Sequence, residues 1–199
     1  MRGFKSELQK FEQLVKSLKS KTKSKIYTIV SKEDFHRVRF STLGVYPIVG
    51  NVTHPRWAQT WHKQSFVKTL VPHMALKVAC DRVLWLDNDV RPQKDIEHIF
   101  NAQAPAMVQD NKGIMLNSGV MLLNITSQFV NEWDKFVQKR YKKRQSGGFE
   151  GGDQELWNEF FNKKTVYQLP REYNANRRTP VNRSEVVLAH FIIGEGGSF

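Results

Sequence analysis

The sequence predicts an α/β domain whose sheet is mostly parallel and flanked by helices, and three observations carry that prediction. Short apolar, β-branched runs alternate along the chain with longer segments whose apolar residues recur at helical spacing. One run, RVLWL from Arg82 to Leu86, reads as a strand covered on both faces and stops at two carboxylates, Asp87 and Asp89. The chain has 199 residues, 40% hydrophobic and 12% aromatic, enough for one substantial core, and no internal repeat or second domain breaks the pattern. Residues 1–199 are therefore expected to form a single domain.

The elements follow in order. Leu8, Phe11, Leu14, Val15 and Leu18 keep helical spacing, so a helix opens the chain, and the basic run from Lys19 to Lys25 is a solvated connector. Ile26 to Val30 is a β-branched strand, followed by a polar helix-like stretch and a second strand or strand-turn in Gly44 to Gly50. Trp57 to Ala79 keeps helical spacing, with Pro72 allowing a kink or a restart. After Arg82 to Leu86 come strands at Ala106 to Gln109 and Ser118 to Asn124, and a helix from Ser127 to Tyr141. A basic, glycine-containing connector then leads to a helix with Asp153 near its start, and strands near Val166 and Val186 to Ala189 close the pattern. Such alternation implies βαβ-type connections.

Lys and Arg number 31 against 19 Asp and Glu, a net charge of +12, so the surface should attract anions: nucleic acid, anionic lipid, sugar phosphates or acidic glycans. Cys80 is the only cysteine, which excludes an internal disulfide framework and fits a reducing compartment. No apolar run approaches the length of a membrane span, and the amphipathic N-terminus has no signal-peptide core, so a soluble, cytoplasmic protein is expected.

Side chains at i and i+2 of an extended segment share a side, so Asp87 and Asp89 can converge just beyond the strand, at the end of the sheet where open α/β folds bind ligands. Hard oxygen ligands held this way suit Mg²⁺ or Mn²⁺, with phosphate oxygens completing the shell. Asp-Asn-Asp is equally readable as a turn with solvated or capping carboxylates. An apolar strand ending in two alternating aspartates also opens aspartyl-phosphate phosphotransferases. Those usually carry Thr or Val where this chain has Arg91, and their strand lies near the N-terminus rather than mid-chain.

Further segments separate these readings. Taken in order, KTLVP (Lys68 to Pro72), VLWLDNDV, LNSGVMLLN (Leu116 to Asn124), FEGGDQELWNEFF (Phe149 to Phe161), LPREYN (Leu169 to Asn174) and LAHFIIG (Leu188 to Gly194) resemble glycosyltransferase family 8. This is the glycogenin-like family of retaining, nucleotide-sugar-dependent transferases. The resemblance implies the GT-A fold, a Rossmann-like nucleotide-diphospho-sugar transferase domain with a mixed, mostly parallel sheet. It implies that Asp87, Asp89 and His190 hold a divalent ion, Mn²⁺ with Mg²⁺ as the alternative, against the diphosphate of a UDP-sugar. An imidazole beside two carboxylates favours Mn²⁺. By itself His190 reads as a packed structural histidine.

The same resemblance places Asp153 and Asn117 at the transferred sugar as the catalytic candidates. It assigns the donor to Lys68, Asp87, Asn88, Asp89, Asn117, Ser118, Gly152, Asp153, Gln154 and Gly194. Without it, Asp153 reads as a helix cap, Asn-Ser-Gly (Asn117 to Gly119) as a turn, and Lys68 as a surface lysine. The acceptor is expected to be a glycan, glycolipid or protein, with peripheral contact to an anionic membrane and no nucleic acid partner. The sequence departs from the family in two places. Relatives begin with a strand ahead of the helix matched here by Ser6 to Ser20, and they end on a Lys-Pro-Trp-like segment that has no match in HFIIGEGGSF. A second function class stays open: a catalytically impaired, transferase-like domain that binds an anionic partner, nucleic acid or a membrane surface, through a basic face including Lys142 to Arg144 and Asn176 to Arg178.

Overall fold

The computed structural model describes residues 2–30, 32–49, 68–110, 113–145, 152–162 and 164–191. Helix α1 (Arg2–Lys19) buries Leu14, Val15 and Leu18, the stripe the spacing predicts. Strands β1 (Tyr27–Val30) and β2 (Tyr46–Val49) pair in parallel, Tyr27 opposite Tyr46. The polar stretch between them supplies two single turns of helix, α2 (Lys32–Phe35) and α3 (Phe40–Leu43). Of the helix expected over 57–79, residues 57–67 lie outside the described residues. The rest is a 3₁₀ turn, Lys68–Leu70, that restarts as α4 (Val71–Lys77), with Pro72 in its first turn where a missing N–H costs nothing.

Next come β3 (Arg82–Leu86), β4 (Val90–Pro92), a 3₁₀ segment (Glu97–Asn101), β5 (Ala106–Gln109) and β6 (Leu116–Asn124). The chain continues through α5 (Ser127–Gln145), α6 (Asp153–Phe161), β7 (Tyr167–Leu169), two further 3₁₀ segments, Arg171–Asn174 and Arg183–Glu185, and β8 (Leu188–His190). The central sheet has the order β3-β6-β5-β7, and β4 and β8 form a separate antiparallel pair.

The sheet is mixed, as expected, but parallel pairing does not predominate. β6 is antiparallel to both β3 and β5, whereas β5 pairs in parallel with β7. The cause is local. A parallel return needs a crossover of a dozen or more residues, but β5 reaches β6 through six. The turn is closed by Asp110 N–H to Met115 O at 2.7 Å and by the Asp110 carboxylate, which accepts from Ile114 N–H at 3.0 Å. Two other readings change. All five residues of β3 are half-buried rather than covered on both faces, since β3 has one ladder neighbour among the described residues. β4, a three-residue strand inside what reads as a turn and a proline, has no period long enough to show in sequence.

β6 organises the core by its period of two. Met121 and Leu123 join a cluster with Trp133, Leu156 and Trp157 from α5 and α6, while Val120 and Leu122 join Val90, Ile99, Ala106, Val108 and Leu188 on the other side. Trp133 and Trp157 are fully buried and stacked, with ring centroids 3.9 Å apart and planes 10° apart, a contact that locks α5 to α6. The Trp133 indole N–H donates to Thr69 O at 2.9 Å, which ties this core to the turn carrying Lys68.

Candidate active site

β3 ends at Leu86, and Asp87 N–H donates to Gly119 O at 2.9 Å, so the first aspartate is fixed to β6. The chain then turns through Asn88, which is exposed, and Asp89 into β4, closing the turn with Val90 N–H to Asp87 O at 3.0 Å. β4 pairs with β8 so that Val90 faces His190, and Phe191 N–H donates to Asp89 O at 2.9 Å. This pairing, between residues a hundred positions apart in sequence, brings Asp87, Asp89 and His190 together. One ligand atom from each lies within 4.8 Å of the others. The indole of Trp85 donates to Asp87 Oδ1 at 2.9 Å.

The turn is braced from outside by Arg91. Its guanidinium donates to Asn88 O and Val90 O, both at 2.7 Å, and to Lys10 O of α1 at 2.9 Å. The sequence assigns Arg91 no role; three backbone carbonyls, one of them from α1, give it one in the fold, and the contact to α1 has no signal in the sequence.

His190 is buried, and its tautomer follows from a chain of hydrogen bonds. Gly119 N–H donates to Asn117 Oδ1 at 2.8 Å, and Asn174 Nδ2 donates to the same oxygen at 2.8 Å. Asn174 Oδ1 therefore faces His190 Nδ1, 2.8 Å away, and can only accept, so the ring carries its hydrogen on Nδ1. Nε2 points at Asp89 Oδ1, 3.2 Å away. A neutral Nε2 and a carboxylate oxygen are both acceptors, so a proton or a metal cation has to lie between them. Burial pushes the Asp89 carboxyl up, yet the hydrogen bond and charge of His190 outweigh it and hold Asp89 below its usual value of 3.8. Two carboxylates and an imidazole oriented by a second-layer carboxamide are a donor set that fits a borderline divalent ion.

A second cluster adjoins the first. Lys68 is buried, and its ammonium lies 2.8 Å from Asp87 Oδ2 and 2.8 Å from Asp153 Oδ2, and donates to Ser118 Oγ at 3.1 Å. Burial alone would lower the Lys68 pKa, but the two carboxylates raise it above 10.5, so the ammonium stays charged. Ser118 Oγ also donates to Asp153 Oδ2 at 3.1 Å. Asp153 is the first residue of α6 but does not cap it: Glu155 does, accepting Gly152 N–H at 2.8 Å. Gln154 is half-buried, and its carbonyl accepts from Asn158 Nδ2 at 2.8 Å.

The structure thus brings together Lys68, Asp87, Asp89, Asn117, Ser118, Asp153 and His190, with Asn88, Gly152 and Gln154 on the same turn and helix start. Gly194 lies outside the described residues, as do the side chains of Lys142 to Arg144. Sequence reasoning missed Asn174 as a site residue although it ends the LPREYN motif; a lone asparagine in a polar run gives no sign that its carboxamide turns toward a histidine. Among the described helices none is long and apolar enough to cross a membrane.

Comparisons with known proteins bear on the family and the fold. A sequence-family model described as "Glycosyl transferase family 8" matches residues 4–192. Solved structures share the fold. The glycosyltransferase GlyE of Streptococcus pneumoniae TIGR4 superposes with a TM-score of 0.68 at 21% identity, over 94% of this chain and 52% of its own. The galactosyltransferase LgtC, solved with donor and acceptor sugar analogues, gives 0.67 at 14% identity, over 92% of this chain and 82% of its own. Mouse xyloside xylosyltransferase 1 gives 0.67 at 13%, over 96% and 94%. This chain therefore spans about half the length of GlyE. No curated protein sequence matches the chain significantly.

Proposed function

The chain belongs to glycosyl transferase family 8, and from that premise we propose that it moves a sugar from a UDP-sugar to an acceptor hydroxyl with retained anomeric configuration, using a divalent ion. The observation that carries the proposal is the facing pair of acceptors, His190 Nε2 and Asp89 Oδ1, beside Asp87. Asp87, Asp89 and His190 would hold Mn²⁺, with Mg²⁺ the alternative. When bound, the ion supplies Lewis-acid neutralisation of charge on the departing nucleotide diphosphate.

The chain's own residues do the rest. Asn174 and Asn117 hold the His190 ring in one tautomer. Lys68 is a charged donor 2.8 Å from Asp87 Oδ2, and with a cation held by that carboxylate it would be available to a diphosphate oxygen. Among the described residues Lys68 and Ser118 both meet Asp153 at Oδ2, and the carboxylate they fix would stabilise oxocarbenium character at the anomeric carbon of the donor sugar. Retention and the sugar-contacting roles of Asn117, Ser118, Gly152 and Gln154 rest on the family resemblance. The acceptor on this reading is a glycan, glycolipid or protein. The test is hydrolysis and transfer across a panel of UDP-sugars with and without Mn²⁺. Turnover that needs the metal and is lost in Asp89→Ala is expected; turnover indifferent to chelator and to that substitution contradicts the reading.

A further inference from the structure

Beyond Asn174 the chain enters a hydrogen-bonded turn that carries two exposed arginines, Arg177 and Arg178. Asn176 and Thr179 are buried at its base. Asn176 N–H donates to Thr179 Oγ1 at 2.9 Å, Thr179 N–H returns to Asn176 O at 3.0 Å, and Arg178 N–H donates to Asn176 Oδ1 at 2.8 Å. The Arg183 guanidinium braces the turn from below, donating to Asn176 O at 3.0 Å and to Arg177 O at 2.8 Å. Arg177 and Arg178 themselves are exposed.

The turn is fastened directly to the site. Ala175 N–H donates to Leu188 O at 3.0 Å and His190 N–H to Ala175 O at 2.8 Å, so the backbone leading into it is part of the frame that holds His190. Three residues of chain span at most about 11 Å, which puts the Arg177 backbone within a substrate's length of Asn174. Arg177 and Arg178 are adjacent and Arg183 follows within seven residues, so the turn concentrates basic side chains beside the frame that holds His190. Guanidinium groups are the side chains best matched to planar, bidentate contact with phosphate or carboxylate oxygens.

We propose that the Arg177–Arg178 turn binds an anionic oxygen group, phosphate or carboxylate, on one of the two substrates of the transferase. The inference rests on the transferase reading above. The donor diphosphate and an acid group on the acceptor are the two sources, and the experiment separates them. Calorimetry with the full chain would compare UDP with uridine, each with Mn²⁺, and methyl β-glucuronide with methyl β-glucoside. The proteins are wild type, Arg177→Gln/Arg178→Gln, the milder Arg178→Gln, and Lys135→Gln/Lys139→Gln on the exposed side of α5.

The expected result is that the charged-over-neutral preference for one pair falls by at least about tenfold in the double arginine variant and is unchanged in the lysine variant. Loss on the uridine pair assigns the turn to the donor; loss on the glucuronide pair assigns it to the acceptor. The proposal is overturned if wild type prefers the charged member of neither pair, if both preferences survive in the arginine variant, or if the lysine variant loses as much, which is the behaviour of a diffuse positive field. Should the double variant unfold, the single variant decides by the same criteria. Metal-dependent UDP-sugar turnover of the wild type reports on the transferase reading separately.

Discussion

Nδ1 of the buried His190 lies 2.8 Å from Oδ1 of Asn174, and because the other end of that carboxamide donates to Asn117, the contact fixes which ring nitrogen keeps its lone pair. Second-layer partners of this kind typically tune metal affinity by about 10–100-fold. Asn174→Ala is therefore expected to weaken Mn²⁺ binding by about that factor while Asn174→Asp, which still accepts from Nδ1, retains more of it. Titration of Mn²⁺ into each folded variant checks this; equal affinities in all three proteins contradict it.

Gly119 faces the same ring. A Cβ at this position would come within 2.5 Å of His190 Cε1 and 2.9 Å of Asn117 Oδ1, both closer than real contacts allow. Gly119→Ala must push the imidazole or the Asn117 amide aside, at a cost of about 1–3 kcal/mol, the usual range for overpacking a tight site. Chemical denaturation should register that loss, and Mn²⁺ affinity should fall with it; a variant as stable and as tight as wild type would show that the ring stands elsewhere.

Lys68 neutralises Asp87 and Asp153 from inside. Removing one partner of a fully buried ion pair costs about 3–5 kcal/mol, and the two carboxylates here keep some solvent, so about 2 kcal/mol is expected for Lys68→Met without metal. On the proposed function a divalent cation at Asp87 would replace the missing charge. Added Mn²⁺ should raise the melting temperature of Lys68→Met more than that of wild type, and an equal or smaller rise would contradict the assignment.

Glu97 gathers the connector after α1. Thr22 Oγ1 donates to it, as do the N–H groups of Lys23 and Ser24 at 2.6 and 2.9 Å, and these bonds, the Thr22 contact first, hold its carboxyl below the usual 4.5. A depressed folded-state pKa means the unfolded chain takes up the proton first as pH falls. The contribution is complete above 4.5 and is lost below it. In urea titrations Glu97→Gln should be less stable than wild type at neutral pH, with the two midpoints converging in acid; a gap unchanged with pH would contradict the carboxylate's role.

These residues also mark how far the sequence could be read. Helical spacing placed α1, because Leu14, Val15 and Leu18 bury one face, and the apolar run before Asp87 placed β3. The Asp-Asn-Asp triplet, Asp153 and His190 were legible because the motifs hold them in order. Pairing direction was not, since apolar alternation in β6 is the same for either neighbour orientation. Asn174 and Arg91 were invisible because their partners, His190 and the Asn88 turn with Lys10, are joined to them only by folding.

The central claim is that Asp87, Asp89 and His190 share one divalent ion. Anomalous diffraction at the manganese edge from crystals soaked with Mn²⁺ and UDP tests it most directly. The account predicts one strong peak between Asp87, Asp89 and His190 Nε2, with the Lys68 ammonium turned toward the diphosphate. No peak there, with Lys68 still bridging Asp87 and Asp153 and His190 still against Asp89, would contradict it.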